Sequence, residues 1–242
     1  MLFNTFGLPA IESCPGATAS CAAVCYAARL EASWSTLATQ MQRNWDALKQ
    51  CGADVGAMEA LISEMIGEFV ADATKLASKG RRPLEDLLIF RIHWDGDFYS
   101  MPYAKAWARV IASYPDVAFW TYTRSFTTKV NVVPVLATLP NLVLYLSIDK
   151  DNAKRASTIL KRYPTAKAAV MVDRWDQGLS ALRKVGRETA PRCPELTGRT
   201  PLVTTLSRRG ELELGGDGQG ACSACGLCVE GRRDVVFATG KE

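Results

Sequence analysis

A chain of 242 residues, 48% apolar and 22% charged, has an ordinary globular composition and can bury one sizeable core. Its net charge of +4 is mild and no lysine/arginine block stands out, so composition alone points to neither a nucleic-acid nor an acidic partner. The opening "MLFNTFGLPAIES" lacks the basic and apolar regions of a signal peptide, and no run of about 18 apolar residues exists to span a membrane, so a cytoplasmic protein is expected.

In chain order, "CPGATASCAAVCYA" (14–27) comes first, with Cys14, Cys21 and Cys25 in a small-residue loop that runs into a helical pattern over about Ala22 to Leu48. A helix over 19–29 would set Cys21 and Cys25 four residues apart on one face, with Cys14 reaching over from a loop that Gly16 lets bend. A second helix is predicted over 55–77, where Met58, Leu61, Ile62, Met65, Ile66, Phe69 and Val70 recur at helical spacing, and "SKGRRP" (78–83) closes it. Then the pattern changes. "LLIFRIHW" (87–94), "VAFWTYTR" (117–124), "NLVLYLSI" (141–148) and "AAVMVD" (168–173) are short and almost continuously apolar, as buried parallel strands are. "MPYAKAWARVIASY", "KVNVVPVLATL" and "DNAKRASTILKRY" lie between them as helix-like segments. The expected fold is α/β, a partial (β/α) barrel of parallel strands over 1–190, with a Cys-rich, loop-rich extension over 191–242.

Each apolar run ends in polar residues: His93, Asp95 and Asp97; Tyr122, Arg124 and Ser125; Ser147 and Asp149; Asp173 and Arg174. In parallel α/β folds a site forms beyond the carboxyl ends of the strands, where the loops converge, although strands also need polar residues simply to begin a turn.

"GELELGGDGQGACSACGLCVEGRR" (210–233) is too glycine-rich to fold around its own core, so coordination is expected to order it. Reduced compartments disfavour disulfides, and eight clustered cysteines point to metal. Zinc sites use separated Cys-x₂-Cys pairs, whereas Cys222, Cys225 and Cys228 at successive two-residue gaps suit an iron–sulfur cluster, with Cys193 as fourth ligand. Cys14, Cys21 and Cys25 offer three thiolates and no fourth, which would leave one iron of a [4Fe–4S] cluster open. One cluster, two clusters, zinc, and cysteines that merely pack in a core all stay open on spacing alone; Cys51 stands apart.

The three-cysteine loop followed by βα units resembles the radical S-adenosylmethionine (SAM) superfamily, whose partial barrel carries such a loop after its first strand. More narrowly, "CPGATASCAAVCYA", "RIHWDGDFYS", "FWTYTRS" and the cysteine-rich tail resemble a phage family known by its gene-product number, eighty-eight, which implies an iron–sulfur protein in a host cytoplasm. The gaps of six and three residues between the cysteines differ from the superfamily's three and two. The resemblance implies a [4Fe–4S] cluster on Cys14, Cys21 and Cys25, with SAM, a small-molecule substrate and an electron donor as companions. Asp95 and Asp97 would then face an ammonium, Gly96 would admit backbone approach, Arg124 would hold a carboxylate, and His93 would be a ligand or proton donor. Ser147, Asp149 and Asp173 would complete the cofactor side. The rival is a non-enzymatic module, stapled by iron–sulfur or zinc, that binds a host protein or nucleic acid.

Overall fold

The computed structural model describes residues 4–80, 82–194, 196 and 225–240. Cys222 and most of the glycine-rich tail lie outside the described residues. Two compact units make up the chain, Met1–Leu146 and Ser147–Glu242.

The first unit opens with helices α1 (Ala19–Ala23), α2 (Tyr26–Ser33) and α3 (Ser35–Gln50). The single helix expected over about 22–48 is therefore three. Val24 ends α1 with φ −120°, and Cys25 is the N-cap of α2, its Sγ accepting the Ala28 N–H at 3.5 Å. Cys21 and Cys25 consequently do not share the face of one helix, which corrects the expected i, i+4 pairing.

Helix α4 (Val55–Ala77) follows as predicted. Asp54 caps it by accepting from Gly56 N and Ala57 N at 2.8 and 3.1 Å, and Met58, Ile62, Ile66, Phe69 and Ala73 bury one stripe. That stripe packs beside α5 (Met101–Ser113), which starts with the Ser100 cap and a proline in its first turn and buries Tyr103, Trp107, Val110 and Ile111.

Strands β1 (Ile89–Ile92), β2 (Ala118–Thr123), β3 (Leu142–Ile148), β4 (Lys167–Val172) and β5 (Val235–Ala238) are joined in the order β1-β2-β3-β4-β5. Pairing is parallel between β1 and β2 from Ile89 opposite Ala118, between β2 and β3 from Phe119 opposite Leu142, and between β4 and β5 from Ala169 opposite Val235. Strand order that follows the chain is the mark of the α/β, partial-barrel class read from the sequence. Runs such as Phe119–Thr121 and Leu144–Leu146 are buried at every residue, in keeping with their continuous apolar sequence.

Two features depart from the sequence-based expectation. Asn4–Phe6 runs beside β1 as a strand-like segment: Thr5 bridges Arg91 in parallel, Arg91 N donates to Asn4 O at 2.9 Å, and Phe6 N donates to Arg91 O at 3.1 Å. The segment expected to be wholly loop-rich after 191 also contributes β5, which Pro191–Cys193 flanks through the Arg192–Val236 bridge. Of "KVNVVPVLATL", only α6 (Val133–Leu136) is α-helical. The second unit adds α7 (Ala153–Arg162), α8 (Gly178–Lys184) and α9 (Leu227–Glu230).

Candidate functional site

Loop 7–17 follows the Asn4–Phe6 segment and lies against the residues that follow β1 and β2. Side chains of α3 pin it, with Asn44 Nδ2 donating to Gly7 O and Trp45 Nε1 to Glu12 Oε1, both at 2.9 Å. Two glycines permit the approach. A Cβ on Gly16 would sit 1.9 Å from Arg124 O, and one on Gly96, where φ is +75°, would sit 2.5 Å from Ser13 Oγ and 2.7 Å from Leu8 Cβ. Only backbone without a side chain fits these two places. Gly96 therefore serves the approach of the chain's own N-terminal loop. Ile11 enters the turn before Cys14 at φ +66°, a left-handed conformation that a β-branched residue adopts only under strain.

The loop brings Cys14 to two carboxylates. Burial, then the charge of Asp97 and more weakly that of Asp95, pushes the Cys14 thiol up to about 12, so without a cation beside it the sulfur is protonated. Asp97 is buried and its oxygens are occupied: Thr123 Oγ1 donates at 2.6 Å, Arg124 N at 2.6 Å and Phe98 N at 2.7 Å. Burial still raises Asp97 against those bonds. Asp97 thus ties the turn after β1 to the end of β2. Asp95 is pushed up to about 8, first by burial and then by Glu31 beside it. Gly96 N donates to Asp95 Oδ1 at 2.7 Å, and Ala10 N donates to Glu31 Oε1 at 2.8 Å.

Arg91 stands nearby with its guanidinium 4.9 Å from the Trp120 ring centroid and 5.8 Å from that of Tyr122; its charge acts on both Asp95 and His93. Trp120, Tyr122 and Tyr145 form a run of ring contacts at 5.8 and 5.1 Å.

His93 lies in an aromatic box, 4.5 Å from the Phe98 ring, 5.6 Å from Tyr103 and 6.2 Å from Phe6. Its Nε2 is 2.9 Å from Tyr103 Oη, its Nδ1 has no partner, and its φ of +58° is left-handed. Burial drives its pKa down to about 3, so the ring is neutral at any physiological pH. A neutral His93 in the turn after β1 offers a ring nitrogen and a ring N–H but carries no charge. Arg124 is buried too; its backbone N–H donates to Asp97 and its carbonyl is approached by Gly16.

In the second unit, Ser147 and Asp149 build the turn into α7: Asn152 Nδ2 donates to Ser147 O at 3.1 Å, and Asp151 N to Asp149 Oδ1 at 2.9 Å. Asp173 takes Gly240 N on its carbonyl at 3.0 Å, and its own N–H donates to Gln177 Oε1 at 3.2 Å. Cys193 is buried and its N–H donates to Val236 O at 2.9 Å; Cys225 and Cys228 are half-buried at α9. No disulfide joins the described cysteines, and Cys51 sits by itself at the end of α3. Among the described residues no three His, Cys, Asp or Glu side chains converge as ligands of a single ion. A four-iron cube spreads its thiolates wider than one ion does. Nor is any described helix long and apolar enough to cross a membrane.

The sequence matches the Gene product 88 family over residues 1–231. The chain belongs to that family. It is 40% identical over 241 residues to the Gene 88 protein of Mycobacterium phage L5, covering 99% of this chain and 88% of that one. The Gene 88 protein of Mycobacterium phage D29 is 38% identical over 241 residues, with the same coverage of both chains. No solved structure matches it. The cysteine loop, the "RIHWDGDFYS" turn and "FWTYTRS" all meet in the Cys14 region.

Proposed function

We propose that this member of the Gene product 88 family is an iron–sulfur protein whose loop cysteines, Cys14, Cys21 and Cys25, hold a [4Fe–4S] cluster at the carboxyl ends of the first strands, in the manner of a radical SAM enzyme. The observation that carries it is the parallel segment Asn4–Phe6 beside β1, with the cysteine loop emerging directly from it onto Asp95, Asp97 and Arg124. A three-thiolate loop after the first strand of a partial barrel is the arrangement that the superfamily resemblance implies.

The residues fit such a group chemically. Cys14 sits in a buried, electronegative niche, where a positively charged metal centre would lower the thiol's pKa and offset Asp97. Cys25 at the head of α2 receives a backbone N–H on sulfur. A cluster with an open iron, held by Cys14, Cys21 and Cys25, would supply the electron for reductive cleavage of SAM. The chain's own part is to fix the geometry: Gly16 and Gly96 bring the loop against the strand ends, Asp97 locks the β1 and β2 ends together, and Asp95, raised by burial, lies close to Cys14. Trp45 and Asn44 keep the loop from swinging open. A second cluster on Cys193, Cys222, Cys225 and Cys228 belongs to the same proposal.

Anaerobic purification followed by element analysis tests it. About four irons per chain, or about eight with the second cluster, together with sulfide and broad visible absorption, is the expected result. Cys25→Ala should remove the first four and leave the tail's share. Incubation with reductant and SAM should then yield 5′-deoxyadenosine. Colourless protein with stoichiometric zinc would favour the stapled binding module, and cluster-replete protein inert toward SAM would leave an iron–sulfur protein without the radical chemistry.

A further inference from the structure

The second unit contains a cavity of about 650 Å³ that is remote in sequence from every cysteine of the loop. Its walls include Lys167, Arg187, Arg232, Arg233 and Asp234, with Thr189 offering a hydroxyl. The volume lies within the range of small-ligand sites.

Its charge is built in two layers. At the inner wall, Arg187 Nε lies 3.1 Å from Asp234 Oδ2 and its Nη2 donates to Ala166 O at 3.2 Å, while Asp234 Oδ1 accepts the Ala168 N–H at 2.6 Å. Asp234 is thus neutralised on the spot, and Arg187 is held still. Lys167, Arg232 and Arg233 also line the wall, and among the described residues no other carboxylate does. Arg232 reaches Glu230 at 2.8 Å, yet both side chains are well exposed at 76% and 47%, and such a pair exchanges readily for a stronger acceptor. The cations sit on the first residue of β4 and on the loop leading into β5. They are therefore distinct from the basic residues in the last turns of α7 and α8, which answer those helices' own C-terminal dipoles.

The wider field points the same way. Residues 147–242 carry 17 Lys/Arg against 12 Asp/Glu, while residues 1–146 carry 12 against 13, so the whole positive balance of the chain lies in the unit that has this cavity. Among the described residues no aromatic ring lines it on which a base could stack.

We propose that this cavity binds phosphoryl groups, presented either by a nucleic-acid backbone or by a free nucleotide. Several cationic donors, a hydroxyl and an open mouth suit a tetrahedral dianion or a phosphodiester.

Fluorescence anisotropy with a short labelled single-stranded DNA, and calorimetry with ATP and with inorganic pyrophosphate, test it on the full chain at low salt. DNA binding that pyrophosphate displaces assigns the backbone as source, and ATP binding without DNA binding assigns the free nucleotide. Arg232→Gln with Arg233→Gln should weaken the bound probe at least about tenfold and, for DNA, flatten the log–log salt slope by about 0.7 for each phosphate no longer neutralised. Lys167→Gln alone should act in the same direction. Lys150→Gln with Lys154→Gln removes equal charge from exposed positions away from the cavity and should change affinity less than about twofold. Unchanged melting curves keep the variants comparable. Failure of all three probes to bind, or equal losses in both double variants, overturns the proposal, whatever metal content the protein has.

Discussion

Residues 1–146 and 147–242 handle ionisable groups in opposite ways. The first unit is nearly balanced in charge, and its unusual groups are inside: Asp97 under hydrogen bonds, Asp95 against Glu31, His93 among rings, Cys14 beside two carboxylates. The second carries the surplus of positive charge, and its cavity shows that charge to solvent. Buried groups act at bond length and define one geometry, whereas exposed like charges act over about a Debye length, ~10 Å at moderate salt. The contrast suits a chemical centre in one unit and an anion-capturing surface in the other.

The sharpest break in that contrast should come from Gly16→Val. With 1.9 Å between a Cβ and Arg124 O, the loop must leave the strand ends, at a cost of about 3 kcal/mol or more read by urea denaturation. Iron bound in the first unit should disappear with it, while phosphate-probe binding in the second persists.

Asp234→Ala strikes the second unit. It strands the Ala168 N–H and leaves Arg187 without its partner, so about 2 kcal/mol of stability should go. Removing a carboxylate from the cavity wall should meanwhile tighten pyrophosphate binding, which calorimetry would show.

Stability against pH separates the buried groups. Asp95 has a folded pKa of about 8 against 3.8 unfolded, so the folded state holds the extra proton and loses stability as pH rises through that interval. His93, lowered to about 3 from 6.5, works the other way: stability falls as pH drops below 6.5, where only the unfolded chain takes up the proton. Between pH 6.5 and 8 Asp95 acts alone of the two. Over that interval the metal-free protein should lose about 1 kcal/mol, after allowance for water reaching this carboxyl, and Asp95→Asn should abolish the slope. A slope that survives the substitution would place the titration elsewhere.

Ile11→Gly releases a left-handed β-branched residue and should stabilise the loop by about 1 kcal/mol in thermal melts. Least of all, Glu59→Gln removes an exposed ion pair to Arg109 at 3.1 Å and should cost under about 0.5 kcal/mol.

Strands are legible to within a residue or two where burial is continuous: the runs 117–124, 141–148 and 168–173 correspond to Ala118–Thr123, Leu142–Ile148 and Lys167–Val172. Asn4–Phe6 is not legible, because three residues, two of them polar, have no periodicity to read. Val235–Ala238 is submerged in a stretch dominated by glycine and cysteine, although Val235, Val236 and Phe237 are the β-formers that disclose it. The break at Val24–Cys25 carries no breaker residue, since alanine-rich sequence is compatible with one helix or two. Asp95 and Asp97 are readable as residues that follow a strand end, but the shifts that burial imposes on Asp95, Asp97 and His93 are invisible in the sequence.

By itself, then, the order of amino acids determined the α/β class and the helical stripe of α4, because local burial is written directly into the spacing of apolar residues. Folding alone decided which groups became neutral or charged and where a cavity opened. Glu31 meets Asp95, Gly16 meets Arg124, and Lys167, Arg187 and Arg232 line one space only once distant segments are packed. Electrostatics depends on distance in space and on exclusion of water, and neither is encoded in separation along the chain.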